Sequence, residues 1–281
     1  MQFSQPVTEL IKIRTSTRTF DGREPDEAAF QLLAADVAAI NLSSACKGRF
    51  ILTGSANASD KPLRLGTYGI ITGARSFLIG LVDASEKDAL TFGSLFEQLI
   101  LRATDLGLQT CWLGGTFKKG DLANDLVLSE KEYIAAVTPI GYRKKKPCLL
   151  ETAMRTFAGS DRRKPWQDLF FENDSTKPLT AEAAGIFATP LEMVRLGPSA
   201  SNKQPWRVIR SDQTCHFFLC RSPGYGITGF DLQFNDMGIA RCHFELSAYE
   251  AGLAGQWHAL ENVIGPAGWE YISSWVNESN T

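Results

Sequence analysis

Two stretches of this 281-residue chain, lying 145 positions apart, match each other without a gap. Phe92 to Trp112 (FGSLFEQLILRATDLGLQTCW) aligns with Met237 to Trp257 (MGIARCHFELSAYEAGLAGQW). The two are identical at Gly93/Gly238, Leu101/Leu246, Ala103/Ala248, Gly107/Gly252, Leu108/Leu253 and Trp112/Trp257. Each reads as a long helix closed by a glycine, then a turn and a tryptophan. Amphipathic helices with glycine C-caps resemble one another for physical reasons, so the match has a local explanation as well as an ancestral one. If ancestral, its period is far longer than the ~20–50 residues of a solenoid and implies duplication of a whole domain. The halves are then residues 1–172 and 178–281, with the polar stretch Glu172 to Lys177 as linker.

Composition admits a fully cored protein and excludes several classes. Hydrophobic residues make up 44% of the chain and the formal net charge is −2, which offers no global attraction to nucleic acid or an anionic membrane. The dense basic run Arg143-Lys144-Lys145-Lys146 reads as a solvated loop. Six cysteines, at 46, 111, 148, 215, 220 and 242, show no C-x-x-C spacing, so no metal site is expected and the thiols read as free. The segment MQFSQPVTELIKIRTS lacks an apolar signal core, and the stretch Tyr68 to Val82 contains Arg75 and falls short of the ~20 residues of a membrane span. A cytoplasmic location is expected.

The pattern of elements predicts an α+β architecture. A first helix opens at Ser4 and Pro6 and carries Arg14 to Phe20; a second runs from Pro25-Asp26-Glu27 to about Ile40. Strands are expected at Arg49 to Thr53, Ser76 to Val82 and Ile134 to Gly141, a buried helix at Leu90 to Leu106, and a glycine-containing turn at Thr110 to Phe117. The second half reads as helical segments flanking Pro190, strands at Arg207 to Arg210 and Cys215 to Cys220, and the repeated helix from near Phe234. Gly224-Tyr225-Gly226-Ile227-Thr228-Gly229 fits G-x-G-x-x-G. Pro223 and the absence of an acidic residue ending a second strand argue against a dinucleotide turn. No P-loop, H-E-x-x-H or G-x-S-x-G occurs, and His216, His243 and His258 have no evident catalytic company.

Two polar clusters remain. Gly197-Pro198-Ser199-Ala200-Ser201-Asn202-Lys203-Gln204-Pro205-Trp206 gathers short hydroxyl and amide side chains in a loop whose Pro-Trp end offers an aromatic wall to a polar ligand. It also reads as an ordinary helix-ending turn. Arg14-Thr15-Ser16-Thr17-Arg18-Thr19-Phe20 places two cations at i and i+4 around a serine, which on a helix share one face and suit a phosphate. A solvated basic face is the plainer alternative.

Together the clusters resemble the signatures of the FMN-dependent nitroreductase family, R-x-S-x-R/K and P-S-x-x-N-x-Q-P-W, here separated by most of the chain, as in a double-length branch similar to the TM nitroreductases. Members are homodimers with flavin at the interface, taking the first signature from one subunit and the second from its partner. The resemblance thus implies a nitroreductase-like α+β fold, internally duplicated so that one chain mimics the dimer and can act as a monomer. It implies FMN phosphate against Arg14, Thr15, Ser16 and Arg18, and polar flavin edges against Pro198, Ser199, Ala200, Ser201, Asn202 and Gln204. Backbone at Leu113, Gly114 and Gly115 would approach flavin N5, and Arg162 or Arg163 would stand near N1 and O2. NAD(P)H would be the electron donor in a ping-pong cycle, with nitroaromatics or quinones as acceptors and no catalytic side chain. The first half's counterpart of the loop, Asn41 to Phe50, lacks the Pro-Trp closure, and Leu179 to Phe187 carries no cation, so one flavin per chain is expected. A flavin-sequestering protein without turnover fits the same residues, as does a structural protein with both sites lost.

Overall fold

A computed structural model describes residues 1–43, 47–54, 70–83, 86–114, 126, 128, 131–145, 162–227 and 230–278. Helix α1 (Val7–Ile13) starts after Pro6 and stops at Arg14, whose backbone turns to ψ 122°. The expected helix through Arg14 to Phe20 does not form. Thr15, Thr17 and Thr19 are β-branched and poor helix formers, and the segment finds neighbours to pair with, Ser16 bridging Thr110 and Thr19 bridging Thr72, both in parallel. Helix α2 (Glu27–Ser43) runs three residues past its expected end.

Strands β1 (Gly48–Thr53), β2 (Ser76–Asp83) and β3 (Glu132–Ile140) form an antiparallel sheet in the order β1-β2-β3. Gln109 and Leu113, after helix α3 (Glu86–Asp105), bridge β3 at Gly141 and Val137 in antiparallel sense. The second sheet contains β4 (Phe170–Glu172), β5 (Trp206–Ser211), β6 (Thr214–Cys220), β9 (Gly255–His258) and β10 (Trp269–Asn277), in the order β4-β5-β6-β10-β9. Apart from β4 its pairs are antiparallel. Each sheet thus has two adjacent strands, then a long helix, then a short extended segment lying against the strand that follows it.

Between the sheets α3 crosses α6 (Leu232–Glu250). A methyl group added at Gly93 would lie 2.4 Å from the carbonyl oxygen of Asn235, and one at Gly238 would lie 2.3 Å from that of Leu90. Asn235 and Leu90 are themselves 145 residues apart, so the close approach is reciprocal, as across a twofold axis. The repeated glycines are where backbone meets backbone. The surrounding core is continuous, with Phe92 and Phe96 of α3, Phe244 of α6 and Trp275 of β10 all wholly buried.

Helices α4 (Ala181–Ala184) and α5 (Ala188–Leu196) lead from the second sheet's edge strand to the serine/asparagine loop. The expected linker is an ordered turn: Glu172 and Lys177 pair through backbone (2.8 Å) and side chain (2.6 Å), and Asn173 N–H donates to the Arg210 carbonyl. The G-x-G-x-x-G segment contributes β7 (Gly226–Ile227), which pairs with β8 (Phe230–Asp231). Its preceding strand, β6, is antiparallel to both neighbours, unlike the parallel strand of a dinucleotide fold. Among the described residues no two cysteines are joined, no cluster of metal-ligating side chains occurs, and no helix is long and apolar enough to cross a membrane.

Candidate functional site

The extended course of Arg14 to Arg18 changes why its cations act together. Alternate side chains of an extended run share a face, and Thr17 and Thr19 are buried, with the Thr17 hydroxyl donating to Gln109 Oε1 at 3.1 Å. Arg14, Ser16 and Arg18 occupy the alternate positions. Arg14 is only 8% exposed, and the Nε and Nη1 atoms of both Arg14 and Arg18 are buried without a hydrogen-bond partner among the described residues. A solvated basic face is therefore excluded: these donors have left water and found no acceptor within the described chain, a costly state that an anion would relieve.

Arg14 faces one carboxylate. Its Nε lies 3.9 Å from Oε1 of Glu97, which is wholly buried on α3. Glu97 Oε2 accepts from Trp112 Nε1–H at 2.6 Å, and Oε1 lies 2.9 Å from Nε2 of His243, wholly buried on α6. The other ring nitrogen, Nδ1, is 2.9 Å from the Met193 carbonyl on α5. His243 is thus buried between two partners that its neighbours in sequence do not reveal. Leu10 and Ile11 of α1 pack with Met193 of α5 and Cys242 of α6, so the end of α1 and the end of α5 share one apolar cluster.

Helix α5 ends at Leu196, and the loop that follows is strained. Ser201, Asn202 and Gln204 have φ of 46°, 55° and 49°, three left-handed residues, none of them glycine, with only Lys203 between the last two right-handed. Many bonds hold it. Ser199 Oγ accepts from Gln204 N–H (2.8 Å), Ala200 N–H donates to Asp236 Oδ1 (3.0 Å), and Asn202 Nδ2 donates to the Arg162 carbonyl (2.8 Å). Arg163 donates from Nε and Nη2 to the Leu196 carbonyl (3.2 and 3.0 Å) and from Nη1 to Asn202 Oδ1 (3.2 Å). Lys164 N–H donates to Gln204 Oε1 at 2.8 Å. Arg162, Arg163 and the loop, far apart along the chain, are thereby brought together, and the Arg163 guanidinium caps a helix C-terminus. So many partners hold the strained backbone in one shape.

Burial unsettles the charges behind this loop. The Asp236 carboxyl is pushed well above the usual carboxylate range by desolvation, which outweighs the Ala200 N–H bond. Lys164 and Arg207 are held below their ordinary values by burial, for Lys164 also by the neighbouring Arg207 charge. Neither Asp236 nor Glu97 carries a sequence signature, since each acts on a partner from another element.

Two expectations are corrected here. Trp206 forms no aromatic wall for a ligand, because its side chain is wholly buried, packed below Gly197. The Arg14/Arg18 pair shares no helix face, for the backbone reason given above. Gly114 lies against Leu232 of α6, where an added methyl would come within 2.7 Å of its side chain, so its lack of a side chain admits the other half of the molecule. Gly115 lies outside the described residues. In the counterpart of the loop, Asn41 exchanges two 2.8 Å bonds with the Phe50 backbone, and α2 continues through Ser43.

Comparison with known proteins agrees with this architecture. The family described as "Putative TM nitroreductase" matches residues 6–248. A crystal structure of a putative nitroreductase from Thermotoga maritima superposes with a TM-score of 0.60 at 17% identity, covering 98% of this chain and 95% of that one. Shorter proteins align to about half of this chain. A nitroreductase family protein from Clostridium difficile covers 56% of it and 92% of its own length (TM-score 0.41, 20% identity). An oxidoreductase containing FMN covers 54% and 86% (TM-score 0.44, 21% identity). No curated protein matches the chain.

Proposed function

The chain belongs to the Putative TM nitroreductase family, and from that premise we propose that it is a flavin-dependent oxidoreductase. It binds one FMN between two nitroreductase-like halves and uses NAD(P)H to reduce small acceptors such as nitroaromatics or quinones. The halves are residues 1–172 and 178–281, arisen by duplication, and the chain works as a monomeric counterpart of a dimer in the cytoplasm. The reciprocal crossing at Gly93 and Gly238 supports the duplication.

The observation that carries the cofactor assignment is the set of buried Nε and Nη1 donors of Arg14 and Arg18, which have no hydrogen-bond partner among the described residues. Their donors fit a phosphate monoester: charge-assisted bonds to its oxygens would replace the water both sides have lost. Ser16 would add a hydroxyl beside them and Thr15 would flank it. On the other half, Ser199, Ser201 and Asn202 would offer short polar groups to the ring and ribityl edges. Pro198, Ala200 and Gln204 would hold that loop in shape, and Arg162 and Arg163 would brace it from outside. Leu113 and Gly114, anchored through the Leu113–Val137 bridge, would form the floor.

When bound, FMN supplies the two-electron chemistry, accepting and delivering hydride at N5. The protein's part would be to orient donor and acceptor against the flavin and to exclude water. No side chain serves as a nucleophile.

Anaerobic titration of FMN-loaded protein with NADH and with NADPH tests the reading. Bleaching of the flavin absorbance by either, and its return on adding a quinone, is the expected result. Flavin that binds but never bleaches would make the chain a flavin-sequestering protein. Colourless protein that takes up no FMN would overturn the assignment.

A further inference from the structure

We propose that Glu97 and His243 form a proton-balanced counter-charge beneath the anion site, positioning residues that let two buried guanidinium groups stand ready for a phosphate without being neutralised in advance. The inference rests on the reading of Arg14 and Arg18 as a phosphate site and goes beyond it to what sets that site's affinity.

The Met193 carbonyl can only accept, so Nδ1 of His243, 2.9 Å away, carries a proton. The opposite nitrogen lies 2.9 Å from Glu97 Oε1. Two acceptors cannot meet at that distance without a hydrogen between them, so one further proton lies on the Nε2···Oε1 line. Wherever it rests on that line, the pair carries no net charge. Trp112 satisfies the remaining oxygen of Glu97, so a wholly buried carboxylate has the partners that burial demands.

With that proton on Nε2, what reaches Arg14 is the field of a dipole whose negative end, Glu97 Oε1, faces its Nε. The 3.9 Å separation is too long for a hydrogen bond, so the contact steadies Arg14 by Coulomb attraction and leaves its Nε and Nη1 donors free, as observed. An unbalanced carboxylate here would cancel Arg14 and repel an incoming phosphate. Removing the carboxylate would leave the guanidinium unsupported when no anion is bound.

The two partners therefore have opposite effects, which a purely structural pair would not. FMN affinity is read by quenching of flavin fluorescence, and inorganic phosphate affinity by competition, on the full chain. His243→Gln removes the balancing proton and is expected to loosen both ligands about tenfold. Glu97→Gln, which leaves a neutral amide beside a neutral ring, is expected to tighten both by about threefold. Equal loosening by both variants, or no change in either, overturns the proposal. Should Glu97→Gln fail to fold, His243→Gln decides alone, unchanged affinity counting against.

If wild-type protein binds neither ligand, the flavin reading fails by itself and the counter-charge is judged on thermal melts of the ligand-free chain. Arg14→Met, Glu97→Gln and the double variant form a cycle. The expected outcome is that Arg14→Met raises the melting temperature more in the Glu97→Gln background than in wild type. Simple additivity overturns it.

Discussion

The two halves of this molecule build the same frame and finish it differently. In both, two neighbouring strands precede a long helix, and a short extended segment returns against the strand that follows. The helices meet glycine on backbone in both directions. Yet the segment entering the first half ends in Arg14 and Arg18 with buried, unpartnered donors. The corresponding stretch of the second half is a short helix capped by Thr180, followed by Phe187, which is 1% exposed, stacks on Phe244 and meets Trp275 edge-on. The loops diverge in the opposite sense. That of the second half is strained and braced, whereas Asn41 in the first spends its amide on the Phe50 backbone. The close helix crossing thus recurs in both halves, while among the described residues the unpartnered cations belong to the first half and the strained loop to the second.

The sharpest way to break this comparison is at the cations. Arg14→Ala combined with Arg18→Ala is expected to weaken FMN binding by about 3 kcal/mol or more, at ~1.5–3 per charged hydrogen bond. The melting temperature of ligand-free protein should hold or rise, because buried donors without partners are removed. A double variant that stays fully loaded with flavin ends the phosphate assignment.

Next in size, Gly93→Ala and Gly238→Ala should each cost about 3 kcal/mol in denaturant unfolding, since the methyl meets backbone that cannot rotate away. Near-equal losses would confirm that the crossing is reciprocal, and a loss at one position alone would show that the halves pack unequally.

Asparagine separates frame from site. Asn202→Ala should lower flavin occupancy, whereas Asn41→Ala should cost about 1–2 kcal/mol of stability through its two Phe50 bonds and leave occupancy unchanged. Equal effects on occupancy, measured by absorbance per chain, would mean that both sites bind.

The smallest effect is expected at Asp236. Burial raises this carboxyl above its unfolded value of ~3.9, so it opposes folding as pH climbs past that value and up to the folded one. Asp236→Asn keeps an acceptor for the Ala200 N–H and should gain about 1 kcal/mol at pH 8, with no gain near pH 3. A gain of the same size at both pH values would point to repacking instead of charge.

Much of the frame was legible along the chain. β1, β2, β3, β5 and β6 lie within a residue or two of their expected bounds because alternating or continuous apolar runs bounded by polar turns state the period directly. β10 has the aromatic and β-branched content of a strand and was equally open to reading. β4 was not: three residues carry no period, and Phe170 to Glu172 become a strand only because the edge of β5 lies free beside them. Arg14 to Phe20 misleads for a related reason. Its cation spacing fits a helix, but alternating threonines and the available edges at Thr72 and Thr110 draw it into an extended course.

What the sequence alone determined was therefore the repeat, the apolar rhythm of the strands and the two polar clusters, all features contained within short windows. The tertiary structure decided which donors stay unpartnered, that Trp206 turns inward, and that Glu97 meets His243 across 146 residues. Local patterning records how a segment folds on its own account. The charge a buried group feels depends on whatever side chains the packing brings against it, and no window of sequence contains them.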